Sequence, residues 1–265
     1  MDSLKSKKLN AEEFNKTLKI IYNGYPTKTP ESVQKAIDKC WEEIKTKNKD
    51  IFRGSFFNIE TIKETDQELI ITYSSSDYAH YKATRLCVPE LYEYPCTAIF
   101  GAVMLKTNDD YLVLAQLASW TSNGSLLQFI GGGFSFDDLK EDNNLDISDN
   151  MMRETEEEIG LIIPKNKFDN APKYLIKIYE NDDKYSMLLA HKVEIDLSKQ
   201  EMQNQLEEHN TAVIESKREE KPEIDKLFFI KDSQKSLQEF LNNNTFPISD
   251  FTVEALKISV CKNLL

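Results

Sequence analysis

A short apolar pattern, Leu126-Leu127-Gln128-Phe129-Ile130, runs directly into three glycines, Gly131 to Gly133, and an acidic segment follows, Arg153-Glu154-Thr155-Glu156-Glu157-Glu158-Ile159-Gly160-Leu161. This order predicts a buried strand, a turn where backbones approach closely, and then a helix. On a helix, Glu154 lies three residues from Glu157 and four from Glu158, so these three carboxylates share one face while Glu156 points elsewhere. Like charges at that spacing cost an isolated helix roughly 0.2–0.5 kcal/mol per pair. A bound cation would reverse the sign. Arg153, four residues before Glu157, is spaced to hold one carboxylate by a charge-assisted contact, and Gly160 provides a helix stop. An acidic run alone is most often a solvated face. Here the preceding strand and glycines, and a less polar stripe of Ile147, Met151, Thr155 and Ile159, favour a divalent-metal site suited to diphosphate chemistry.

The same residues resemble the Nudix box, G-x5-E-x7-R-E-U-x-E-E-x-G-U with U aliphatic. Positions 153 to 161 match it except for Thr155 at an aliphatic position. In the first half, Gly132 is followed after five residues by Asp138, one methylene shorter than the expected Glu, and fourteen residues rather than seven separate Asp138 from Arg153. That extra stretch is polar and reads as an enlarged surface loop. The resemblance implies an α/β/α sandwich with a mixed sheet and a requirement for Mg²⁺ or Mn²⁺. It implies Glu157 and Glu158 as metal ligands, Glu154 as ligand or general base, Arg153 as the orienting partner, and a backbone carbonyl at Gly131 or Gly132 as a further ligand. The catalytic set is then Arg153, Glu154 and Glu157. Family members commonly draw another carboxylate from the region before the last strand, which makes Glu220 and Glu223 candidates, with solvated loop acids the alternative.

A broader likeness, to the UDP-sugar diphosphatase branch, lies in the N-terminal strands followed by Tyr78-x-x-Tyr81-x-x-Thr84-Arg85, the long glycine-to-helix loop and the acidic lead into Leu227-Phe228-Phe229-Ile230. It makes Tyr78, Tyr81 and Arg85 candidates for stacking on a base or contacting phosphate. Packing between the two regions is the alternative for the tyrosines.

A chain of 265 residues can bury a full core as one large domain or two small ones. The formal charge of −12 argues against a nucleic-acid backbone as partner, since each phosphate contact needs a Lys or Arg. It leaves room for a small anion arriving with a divalent cation. No window of 18 apolar residues occurs and the start, Met1 to Lys8, lacks a signal-peptide apolar stretch, so no membrane partner and a cytoplasmic location are expected. Cys40, Cys87, Cys96 and Cys261 show no C-x-x-C spacing, and His80, His191 and His209 are dispersed, so structural thiols are expected rather than disulfides or zinc.

The chain divides into an N-terminal α+β region, 1–95, packed on a core, and a hydrolase domain, 96–265. In the first region, Phe14, Leu18, Ile21 and Tyr22 are spaced as a helix. Thr29-Pro30-Glu31 starts another, carrying Val33, Ile37, Cys40, Trp41 and Ile44, with Trp41 a core anchor, and strands are expected at Ile51 to Ile59 and Glu68 to Tyr73. In the second, Thr97–Leu105 with Tyr111–Leu117, and Lys173–Tyr179 with Tyr185–Val193, read as hairpins. A strand at Ile224–Ile230 and helices near Ser233–Leu241 and Ser249–Cys261 complete the order. The expected activity is metal-dependent hydrolysis of the diphosphate in a nucleoside diphosphate linked to another group, with a UDP-sugar as the candidate substrate. A metal-dependent isomerase of diphosphate esters and a non-enzymatic ligand sensor on the same fold are the alternatives. Neither the linked group nor the oligomeric state is legible.

Overall fold

The computed structural model describes residues 8–49, 51–216 and 221–261. In chain order it contains β1 (Leu9–Glu13), β2 (Thr17–Pro26), α1 (Glu31–Lys47), β3 (Ser55–Glu64), β4 (Glu68–Asp77), α2 (Tyr78–Arg85), β5 (Ile99–Lys106), β6 (Tyr111–Leu117), β7 (Leu127–Gln128), β8 (Asn144–Leu145) and α3 (Ile147–Ile159). There follow α4 (Lys165–Asp169), β9 (Lys173–Tyr179), β10 (Tyr185–Glu194), α5 (Lys199–Glu215), β11 (Ile224–Lys231), α6 (Gln234–Asn243) and α7 (Asp250–Cys261). None of these helices is long and apolar enough to cross a membrane, among the described residues.

The larger sheet is mixed, in the order β1-β9-β10-β5-β6-β11, with β7 on β6. β10 and β5 run parallel at its centre, and the two expected hairpins, β5/β6 and β9/β10, are both present. Period-two alternation sends successive side chains to opposite faces. On one face Ile99, Val103, Leu105, Leu175, Leu189 and Val193 pack with Ile147, Met151 and Ile159 of α3 and with Met202 and Leu206 of α5. On the other, Ala102, Met104, Leu112, Leu114, Ile176 and Ala190 pack with Leu237 of α6 and with Ala255 and Leu256 of α7. The result is helix, sheet, helix: the α/β/α arrangement with a mixed sheet.

The second sheet, β3-β4-β2-β8, is also mixed. Ile20, Phe57, Ile71 and Tyr73 from it join the same core cluster as α3. Its strand β8 comes from the long loop between the glycines and α3, and pairs with β2 through Ile20 opposite Leu145. β1 instead extends the larger sheet by pairing with β9. Helix α1 buries Val33, Ile37 and Trp41 against Ala79 and Ala83 of α2, so Trp41 is the core anchor expected of it.

Two local expectations are overturned. Of the Phe14 to Tyr22 stripe, Leu18, Ile21 and Tyr22 belong to strand β2, paired in parallel with β4, while Phe14 precedes that strand and donates its N–H to the Lys173 carbonyl at 2.9 Å, so the stripe is not a helix. Ile20 is buried while Ile21 is exposed. The run Thr-Leu-Lys-Ile-Ile-Tyr is rich in β-branched and aromatic residues, which suit a paired strand better than a helix. Helix α1 also begins one residue later than expected: Pro30, not Thr29, occupies its N-cap, without a side-chain cap.

Candidate metal and diphosphate site

Helix α3 starts where Asp146 accepts the backbone N–H groups of Ser148 (2.9 Å) and Asp149 (3.4 Å), satisfying donors that the first turn leaves free. It ends at Gly160, whose φ of 66° is the left-handed conformation that favours glycine. Between them Ile147, Met151, Thr155 and Ile159 turn inward. Thr155 fits the apolar slot because its hydroxyl donates within the helix to the Met151 and Met152 carbonyls, each at 3.0 Å, leaving its methyl to the core.

The neighbouring stripe, Asn150, Glu154 and Glu158, faces the glycines. Val103 N–H donates to the Ile130 carbonyl at 2.8 Å and Gly101 N–H to the Gly132 carbonyl at 3.0 Å, drawing the glycine run against β5. A Cβ at Gly131, whose φ is 138°, would lie 2.2 Å from the Gly101 carbonyl oxygen; one at Gly132 would lie 2.7 Å from Glu154 Oε1. The glycines therefore make room for backbone in the first case and for a carboxylate in the second. Glu158 is buried, at 7% exposure, and accepts the Gly131 N–H at 3.3 Å. Asn150 donates to the Gly133 carbonyl (3.1 Å) and Glu154 Oε1 (3.4 Å).

Arg153 gathers three acids. It donates from Nε and Nη2 to Asp138 (2.9 and 3.2 Å), from Nη2 to Glu154 (2.7 Å) and from Nη1 to Glu157 (2.6 Å). Although burial opposes its charge, the Asp138 hydrogen bonds and the charges of Glu154, Asp138 and Glu157 raise its pKa further above the usual guanidinium range. Asp138, from the first half of the box pattern, thus meets Arg153 despite the longer intervening loop.

The acids crowd one another electrostatically. Burial pushes the Glu154 carboxyl up to about 7 against the lowering effect of Arg153, with Glu157 and Asp138 adding to the rise. Burial raises Glu158 well above the carboxylate range, reinforced by Glu154 and Glu223. Desolvation and then Glu157 raise Glu223. Glu223, predicted from the last loop, is therefore in the same electrostatic neighbourhood, held by Ala118 N–H donating to its carbonyl at 2.7 Å. Glu220 lies outside the described residues.

Among the described residues no three acidic, histidine or cysteine side chains stand as an assembled metal cage. The donor chemistry nevertheless fits a hard divalent cation. Glu158 is a buried carboxylate whose hydrogen bond is a single long N–H, beside two further acids, and all available donors are oxygens.

Gly131 to Gly133 also form one wall of a cavity of about 460 Å³. Tyr78, Tyr81 and Arg85 line it too; of the predicted metal set only Gly131 and Gly132 do, and Glu154, Glu157, Glu158 and Glu223 are not among its lining residues. Tyr81 stacks on Phe56, with centroids 4.8 Å apart and planes at 28°, while Tyr78 shares a 2.6 Å hydrogen bond with Ser122. Arg85 pairs with Glu180 at 2.8 Å and stands 3.8 Å from Asp250. Wall residues that sequence reasoning missed include Lys82, Phe100 and Phe251. Alternation along β5, which turns Phe100 away from Ile99, was the available signal for one of them; the others arrive from α2 and α7.

No family model matches the chain, and no curated protein is similar to it at a significant level. Solved structures similar to it include the MutT protein from Methanosarcina mazei Go1, at 11% identity over 63% of this chain and 96% of that one, with a TM-score of 0.39. Another is a Nudix hydrolase, RenU, from M. smegmatis, at 9% identity over 62% of this chain and 83% of that one, with a TM-score of 0.35. A third, the bifunctional NMN adenylyltransferase/ADP ribose pyrophosphatase from Francisella tularensis complexed with AMP and a Mn ion, is 13% identical over 69% of this chain and 45% of that one, with a TM-score of 0.41. Of these three, RenU bears the name of the family that residues 153–161 resemble. Likenesses of this size carry no argument about this chain.

Proposed function

We propose that this chain is a Nudix-type, metal-dependent hydrolase that cleaves the diphosphate of a nucleoside diphosphate linked to another group. One observation carries the reading: the buried Glu158, beside Glu154 on α3, is aimed at the glycine run that walls the cavity. A buried, mutually repelling set of carboxylates is unfavourable by itself and becomes favourable around a cation.

Glu154, Glu157 and Glu158 are the residues that would hold Mg²⁺ or Mn²⁺, with Glu223 a further candidate. When bound, such an ion neutralises charge on the diphosphate oxygens and lowers the pKa of water. The chain's own contribution is positioning. Arg153 locks the Glu154 and Glu157 carboxylates while Asp138 anchors Arg153. Glu154, whose carboxyl is pushed up to about 7, is assigned as ligand or as acceptor of a proton from water. Gly132 keeps the space in front of it open. The aromatic walls suit a nucleoside base and the cations beside them suit phosphate.

A UDP-linked sugar is the proposed substrate class, on the overall resemblance together with Tyr78, Tyr81 and Arg85 in one wall. Those three come from residues 1–95, so that region is assigned a part in recognition and residues 96–265 the chemistry. The test is a panel of nucleotide sugars, dinucleoside polyphosphates, ADP-ribose, NADH and nucleoside triphosphates with Mg²⁺ or Mn²⁺, with products identified. Two phosphorylated fragments from a diphosphate-linked nucleoside support the reading. Rearranged ester without cleavage indicates an isomerase, and binding without product indicates a sensor.

A further inference from the structure

Lys82 lines the cavity, yet among the described residues no acid pairs with its charge. Among the described residues its ammonium donates to the Ser122 carbonyl at 3.3 Å and to Asn123 Oδ1 at 3.2 Å, and it stands 5.9 Å from the Tyr78 ring centroid. Both hydrogen-bond acceptors are neutral, and it forms no ion pair within 4.0 Å among those residues. Arg85, one turn further along α2, differs: it pairs with Glu180 and stands near Asp250. The chain has 45 acidic and 33 basic side chains, yet none of the described acids pairs with this half-buried lysine.

Desolvating a cation without an opposite charge is costly, and the cost falls when an anion enters. Burial first, and the neighbouring Arg85 charge second, hold the Lys82 pKa below the usual lysine range. The competing account is bracing, in which Lys82 fastens the Ser122–Asn123 turn to α2. Bracing needs hydrogen-bond donors only. It gives no reason for a formal charge, because a neutral amide supplies donors to the same two oxygens.

We infer that Lys82 is an anion-recognition residue of this cavity, its ammonium receiving a phosphate or carboxylate oxygen of the bound ligand. This deepens the proposed function and rests on the cavity being its substrate site. The oxygen belongs either to the diphosphate or to the group linked to it.

Binding in EDTA separates these sources without any turnover. Dissociation constants of uridine, UDP-glucose and UDP-glucuronate are measured by titration calorimetry for wild type, Lys82→Gln, Lys82→Arg and the distant control Lys19→Met. Lys82→Gln keeps donors for the turn and removes the charge; its melting temperature without ligand reports whether the fold is intact, and Lys82→Arg supplies a second folded test. The expected result is a weakening of about tenfold or more for Lys82→Gln, substantially restored in Lys82→Arg, with uridine and the Lys19 control unchanged. Equal loss for both sugars places the diphosphate on Lys82, and loss confined to UDP-glucuronate places the linked group there. Affinities within twofold of wild type, equal weakening of uridine, or no binding of either nucleotide sugar to wild type overturns the inference. Hydrolysis assayed separately with metal keeps the two readings apart: a chain that hydrolyses but ignores Lys82→Gln loses only this inference, and one that binds through Lys82 without hydrolysing loses only the enzymatic reading.

Discussion

Asp138 and Arg153, fifteen residues apart, are joined as a fork, with Arg153 Nε on one carboxylate oxygen at 2.9 Å and Nη2 on the other at 3.2 Å. The pair closes the base of the loop that separates the glycines from α3. Asp138 is doubly fixed, since it also accepts the Ser135 N–H at 2.8 Å. The fourteen residues between them, part loop and part helix start, are closed at both ends by this pair, and closure cost rises only slowly with length.

Arg153→Lys retains the charge but cannot span Asp138, Glu154 and Glu157 together. Stability is expected to fall by about 1–3 kcal/mol, and turnover by at least about tenfold. Urea denaturation of Arg153→Lys, Asp138→Asn and the double variant checks this. A double variant as destabilised as the two singles summed would show that the fork contributes nothing.

Gly132→Ala and Gly131→Ala separate chemistry from folding. At Gly132 the added methyl meets the end of the Glu154 side chain, which can move, so folding survives and turnover falls. At Gly131 it meets the Gly101 backbone from a left-handed conformation, and a loss of about 2–3 kcal/mol of stability is expected. Parallel melts and assays read both, and equal stability loss in the two variants contradicts the distinction.

How far the chain could be read from its residues differs by element. Helix α3 was legible because stripe and stop agree, although its Asp146 cap went unread, and both hairpins because alternation and Asn/Asp turns agree. Helix α5 was missed: only Met202 and Leu206 of its residues are buried, too thin a stripe to register, although Ser198 and Glu201 form a capping box that marks its start. The Phe14–Tyr22 stripe was misread because period and β-propensity compete over short runs, and pairing of Leu18 to Tyr22 with β4 decided the outcome there. The carboxylates of the candidate site were legible since they share one helix. The cavity wall was not, because Lys82, Phe100 and Phe251 converge only through tertiary packing.

His191 predicts an acid-sensitive fold independent of the site. It is fully buried in β10, and desolvation, with the Lys173 charge second, lowers its pKa to about 3. Lys16, Lys19, Lys140 and Lys173 and the acids Asp146 and Asp169 line the same cleft. The unfolded chain binds a proton near pH 6.5 that the folded chain refuses until about 3, so stability is full above the unfolded value and is lost as pH falls through that window. The loss amounts to ~3–5 kcal/mol at most. His191→Gln should flatten this part of the stability profile in urea melts between pH 7 and 4, and an unchanged slope would sink the assignment to His191.

Glu158→Gln and Glu157→Gln should part company. Glu158 is buried among acids, so without metal the amide is expected to be no less stable than the carboxylate. Glu157 is exposed and paired with Arg153, so its amide should lose up to about 1 kcal/mol. Thermal melts should show the Mn²⁺-dependent rise of wild type shrink in both, and most in Glu158→Gln.

The most direct test is phosphorus NMR of product formation from a nucleoside-diphosphate-linked sugar, with Mg²⁺ or Mn²⁺, comparing wild type with Glu158→Gln. The account predicts two phosphorylated products from wild type, none after chelation, and loss of most turnover in the variant. Equal rates from wild type and the variant, or intact substrate with folded, metal-loaded wild type across the nucleotide panel, would contradict it.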